Sequence, residues 1–173
     1  NTAVGYHAGD GLTSGYTNVA IGYEALTTDS QAFSTVAIGQ TAAYTQNLGA
    51  VTSYNTVIGA AASYRNFNTG IHMTTVGAQA GYNATGSYNT FIGSLAGKGG
   101  TTSAPFSSGQ YNTALGENAL SGFTTGNYNT AIGRRAGMAI TTGNYNTVLG
   151  VHAGTALTSQ GYNTFVGEAA GGY

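Results

Sequence analysis

The chain of 173 residues contains four Lys or Arg and five Asp or Glu, and its net charge of −1 excludes the basic surface expected of a nucleic-acid-binding protein. It contains no cysteine, which excludes disulfides and thiolate metal sites. Because 41% of the residues are apolar and 13 are tyrosine, the composition is that of a folded chain rather than a disordered one.

The phrase that opens the chain, NTAVG, is the first of ten variants, among them NTAIG and NTVLG. Most of their glycines, called anchor glycines here, are 17 residues apart, and a fixed period of this size indicates stacked structural repeats. Because the chain begins inside a repeat, we expect it to be a piece of a longer protein. In chain order the anchor glycines are Gly5, Gly22, Gly39, Gly59, Gly77, Gly93, Gly116, Gly133, Gly150 and Gly167.

Positions in the repeat are counted from the anchor glycine, negative before it and positive after it. Position +3 is alanine and position −1 is aliphatic in all ten repeats. Position −4 is asparagine in eight repeats, and in six of these tyrosine precedes it at position −5. A ladder of asparagine side chains would satisfy their amides at a turn, whereas a tyrosine column could stack on sugars. We favour the structural interpretation of both columns.

Short runs of Thr, Val, Ile and Tyr bounded by Gly and Asn favour strands. Seventeen residues can hold two short strands and two turns, which is one coil of a β-solenoid. We therefore predict an all-β fold, a parallel β-solenoid of ten coils of about 17 residues that forms a single domain over residues 1–173. Coils stacked ~4.8 Å apart give a body roughly 43 Å long.

Alternation along a strand assigns the faces of each coil. We expect the aliphatic residues at −1 and the Thr or Val residues at −3 to point inward, together with Leu12, Phe123, Ile140 and Leu157 at position +7. Position −2 then points outward, although it is apolar in nine of ten repeats. Since such a stripe needs a cover, we predict an interface with further copies of the chain, formed by Ala3, Ala20, Ala37, Val57, Phe91, Ala114, Ala131, Val148 and Phe165.

The NTAIG and NTVIG phrases, with alanine at +3 and a preceding Tyr-Asn, resemble the head repeats of YadA-like trimeric adhesins and the related repeats of phage tail fibres. The resemblance covers all ten repeats, and the long unit matches the fibre variant better. It implies a left-handed β-roll that forms a homotrimer. It also implies a function: a rigid shaft or head of a phage tail fibre or bacterial surface adhesin, which is extracellular, is joined to flanking fibre modules and presents elements that bind a cell-surface glycan or protein receptor.

The sequence contains no constellation of catalytic residues. The five acids are scattered among different repeats, and no nucleophile has a base beside it. Because histidine shares position +2 with Glu, Thr, Gln, Asn and Arg, we interpret His7 and His152 as solvated residues rather than metal ligands. We therefore expect no enzyme activity, cofactor, metal, nucleic-acid binding or membrane insertion. Binding, where it occurs, is expected at an inserted loop that contains Thr101, Pro105 and Phe106.

Two other functions remain open at this point. A Thr-rich solenoid can present regular rows to ice, but the predicted inward direction of the −3 threonines argues against an ice-binding protein. A polysaccharide-binding or depolymerising fibre domain would need a cleft with paired carboxylates.

Overall fold

The computed structural model describes residues 1–48, 51–66, 70–100 and 106–172. Within these ranges the chain is all-β and contains no helix. Its strands, three residues each, are β1 Thr2–Val4, β2 Val19–Ile21, β3 Val36–Ile38, β4 Thr56–Ile58, β5 Thr74–Val76, β6 Thr90–Ile92, β7 Thr113–Leu115, β8 Thr130–Ile132, β9 Thr147–Leu149 and β10 Thr164–Val166.

All ten strands form one parallel sheet in which each strand pairs with the next in sequence. The register aligns equal positions of the repeat: Ala3 lies opposite Ala20, and Ala131 lies opposite Val148. Each repeat is therefore one coil of a solenoid with about nine turns. The predicted β-solenoid with roughly 17 residues per turn is confirmed.

Four positions in each coil have a positive φ, and these positions bend the chain into turns. The anchor glycines have φ between 125° and 136°, and residues at +2, +4 and −5 have φ near +50° to +70°. At the anchor only glycine fits, because a Cβ on Gly133 would lie 2.5 Å from the carbonyl oxygen of Gly150 in the next coil. The anchor glycines thus stack directly on one another.

The prediction of which strand face points inward is wrong. The middle residue of each strand, at −2, fills the interior of the coil, while the residues at −1 and −3 are half-buried or exposed. The residues predicted to form the interface therefore lie inside a single chain. Ala20, Ala37, Val57, Phe91, Ala114, Ala131 and Val148 are fully buried; at the ends of the solenoid Ala3 is exposed and Phe165 is partly buried.

The interior is too narrow for large side chains at both −2 and +4, which face each other across it. Leu26 and Leu120 at +4 accompany alanine at −2 in their coils, whereas Gly97 accompanies Phe91. A Cβ on Gly97 would overlap the Phe91 ring. In these three coils the residue at +4 is large where the residue at −2 is small, and small where it is large.

The opposite wall of the interior is formed by position +7. Phe123 and Ile140 are fully buried, Leu157 is nearly so and Leu12 packs on the core, as predicted. The coils near the N-terminus differ, because Asp29, Gln46 and Asn66 occupy the same position and are fully buried.

The asparagines at −4 form the predicted ladder. The backbone N–H of Asn129 donates to Oδ1 of Asn112 at 3.0 Å, and its Nδ2 donates to the same oxygen and to the Gly143 carbonyl. Asn146 repeats this pattern on Asn129. Every amide is therefore satisfied coil upon coil in the buried turn.

Candidate functional site

The outer face of the sheet is formed by the columns at −1 and −3, and it is called the outer strand face here. Six aliphatic residues at −1 are at least 36% exposed, and the remaining four are half-buried. Eight of the ten residues at −3 are threonine, and they are half-buried or exposed. The outer strand face therefore alternates rows of hydroxyl and aliphatic groups. Its six most exposed aliphatics are Val4, Ile21, Ile92, Leu115, Leu149 and Val166.

A row of exposed aromatic rings runs along position −5. From Tyr88 to Tyr162 successive ring centroids are 4.8 to 5.0 Å apart, and the ring planes differ by at most 12°. His72 and Tyr54 continue the stack in the preceding coils. Because each inner ring lies between two neighbours, its faces are not accessible to a sugar. This geometry favours the structural interpretation of the tyrosine column.

A second aromatic row lies at position +5, on the turn after the anchor glycine. Tyr44, Tyr64 and Tyr82 stack with centroids 5.1 Å apart. The Arg65 guanidinium lies over two rings, 5.6 Å from the centroid of Tyr82 and 5.3 Å from that of Phe106. Burial raises the pKa of Tyr64 above its usual value.

The inserted loop predicted to bind a receptor is described only in part. Phe106 is half-buried against the Arg65 guanidinium, whereas Thr101 and Pro105 lie outside the described residues. Arg65, Tyr82 and Lys98 were not among the residues predicted from the sequence. A comparison of positions +5 and +6 across the repeats would have identified these residues. Position +5 is tyrosine in three successive coils and lysine in the next, which occurs nowhere else in the chain.

An open depression of about 530 Å³ lies on positions +1 and +2 of the third to sixth coils. It forms where small residues, including Ala60, Ala78 and Ser94, stand in successive coils. Gln40 and Gln79 also line it, but no charged side chain does.

The titratable groups are dispersed. His7 contacts Asp10, and Arg134 contacts His152 with 3.0 Å between their nitrogens. The buried Asp29 carboxylate accepts hydrogen bonds from the backbone N–H groups of Gln31 and Leu48. Across the ranges that the structure describes, no three His, Cys, Asp or Glu side chains form a group able to hold a metal ion. In the same ranges no helix could span a membrane.

Comparisons of the chain with protein-family models, with curated proteins and with solved structures give no match.

Proposed function

We propose that this chain is a structural segment of an extracellular fibre, the rigid shaft or head of a phage tail fibre or bacterial surface adhesin. One sheet runs without interruption through all ten coils, and that observation carries the proposal. The sequence resemblance of the repeats to tail-fibre and adhesin heads supports it. The dispersed titratable groups suit a structural role better than a catalytic one.

The fibre would be a homotrimer that associates through the outer strand face. This replaces the interface predicted from the sequence, since the −2 residues are inside the chain. The outer strand face measures roughly 43 Å by 10 Å, so its area is on the order of 400 Å². About half of this area is the aliphatic row at −1, and exposed apolar patches often mark interaction sites. Threefold symmetry comes from the sequence resemblance.

The test replaces two exposed leucines of the outer strand face by glutamate, Leu115→Glu and Leu149→Glu. Charges placed in an apolar contact are costly, whereas the same side chains point to solvent in a separated chain. We expect sedimentation velocity to give a trimer for the wild-type protein and a folded monomer for the variant. Thr125→Glu and Thr142→Glu, at exposed turn positions, are the control and should leave the trimer intact. A wild-type monomer at micromolar concentration would contradict the proposal.

Ice binding is a second candidate, because a specific feature of the structure favours it. The −3 threonines were expected inside the coil, but they lie on the outer strand face beside the −1 aliphatics. Threonines of neighbouring coils are about 4.8 Å apart along the solenoid axis. A flat array of hydroxyl and methyl groups is the surface that this function requires. If the chain binds ice, we expect the wild-type protein to show thermal hysteresis. The double variant Thr113→Lys, Thr147→Lys should lose it. No hysteresis in the wild-type protein would exclude it.

A further inference from the structure

One region of the surface combines aromatic and basic side chains, and it is called the aromatic–basic patch here. It occupies the third to sixth coils, at the turn that follows position +4. Its members are Tyr44, Tyr64, Arg65, Tyr82, Lys98 and Phe106.

The backbone brings these residues together. Arg65 N–H donates to the Tyr82 carbonyl, and Asn83 N–H donates to that of Lys98. Lys98 therefore takes the position in the sixth coil that Tyr82 takes in the fifth. The Arg65 guanidinium lies over the ring of Tyr82, the last tyrosine of the row.

The charged residues in the coils of the patch are basic. Residues 31–116 contain Arg65 and Lys98 but no Asp or Glu, although the whole chain has a net charge of −1. The acids lie in the first, second, seventh and tenth coils. Within the coils of the patch both charged side chains are therefore basic, which is complementary to an anionic ligand.

The geometry of the patch indicates the form of that ligand. The faces of the tyrosine rings stack on one another, so a ligand can contact only the ring edges and the hydroxyl groups, which form a row along the solenoid axis. A guanidinium presents its N–H donors in the ring plane, where they match a planar carboxylate, and its faces rest on aromatic rings. An extended chain with repeated hydroxyl groups and a carboxylate would satisfy both requirements.

We propose that the aromatic–basic patch binds a carboxylated polysaccharide that runs along the solenoid axis. Arg65 pairs with a uronic carboxylate, Lys98 contributes a second positive charge, and the tyrosine hydroxyls hydrogen-bond the sugar hydroxyls. This inference rests on the proposed function, because it names the class of surface glycan that the fibre would contact.

The probe is hexagalacturonate, and its methyl ester is the matched neutral ligand. We expect isothermal titration calorimetry to detect hexagalacturonate and to find the ester bound about tenfold more weakly or not at all. Arg65→Gln should weaken binding of hexagalacturonate by about tenfold. Arg65→Lys should retain only part of the wild-type affinity, because lysine keeps the charge but lacks the planar guanidinium donors. Arg135→Gln removes the same charge from an exposed site in the eighth coil and should have little effect.

Equal loss in Arg65→Gln and Arg135→Gln would overturn the proposal, and so would equal binding of acid and ester or no binding by the wild-type protein. Circular dichroism of each variant separates lost binding from lost folding. Sedimentation of the same samples separates the two proposals. A trimer that binds no glycan would overturn this inference alone, and a monomer that binds it would overturn only the fibre assembly.

Discussion

At the scale of the residue, the anchor glycine sets how closely the coils can stack. Its φ near 130° is a conformation that side chains rarely adopt, and it brings each glycine against the carbonyl of the next coil. The asparagine at −4 has a complementary role, since its side chain joins three coils by hydrogen bonds. Glycine permits the close approach, and asparagine satisfies the buried polar groups that the turn creates.

Replacing one anchor glycine tests the close approach. Gly133→Ala would place Cβ 2.5 Å from the Gly150 carbonyl oxygen, so we expect a loss of about 2–4 kcal/mol in the free energy of unfolding, measured by urea denaturation. Gly167→Ala is the matched control, because it has the same backbone conformation but its Cβ would meet only the Ala170 methyl group at 3.9 Å. Equal losses of unfolding free energy in the two variants would show that the backbone strain at positive φ, and not the contact with the next coil, requires glycine.

At the scale of the strand, the sequence predicts the coil but not the number of its strands. Two short strands per coil were expected, whereas the described residues form one strand of three residues in each coil. The orientation of that strand is ambiguous from its sequence. Period and composition identify one coil per repeat, and the asparagine and +7 columns were placed correctly. When both faces of a strand such as TAIG are apolar, alternation allows either face to point inward. The prediction from hydrophobicity alone placed the wrong face inside. In two coils the sizes of the residues at −2 and +4, six residues apart, indicate the inward face. Phe91 with Gly97 and Ala114 with Leu120 conserve the summed volume of two facing side chains.

The outer strand face and the aromatic–basic patch were harder to predict for a related reason. Each depends on which residues of different coils become neighbours, and that follows from the register rather than from a local motif. Arg65 meets Phe106 across two coils and an inserted segment. A single repeat, read alone, contains neither surface.

At the scale of the whole molecule, the interior is not uniform along the axis. One cluster of buried apolar residues extends from Ala8 to Ala62, and a second, which includes Phe91, Phe123 and Ile140, extends from Met73 to Leu157. Beside the first cluster the interior contains polar groups, among them Asp29 and Gln46, whose side chains hydrogen-bond to each other at 3.4 Å. The coils toward the C-terminus therefore bury more apolar volume.

In a solenoid, stability is approximately a sum over coils and their interfaces, so the two regions should differ in local stability. We expect native-state hydrogen exchange, followed by mass spectrometry, to show faster exchange at β2–β4 than at β7–β9. These strands all lie inside the stack, which removes the effect of fraying at its ends. Phe123→Ala should lower the free energy of unfolding by about 3–5 kcal/mol, because it opens a cavity in the second cluster. Exchange at β7–β9 should then become faster, and the difference in exchange rate between β2–β4 and β7–β9 should become smaller. Slower exchange at β2–β4 in the wild-type protein would show instead that the hydrogen-bonded polar interior is the more stable part.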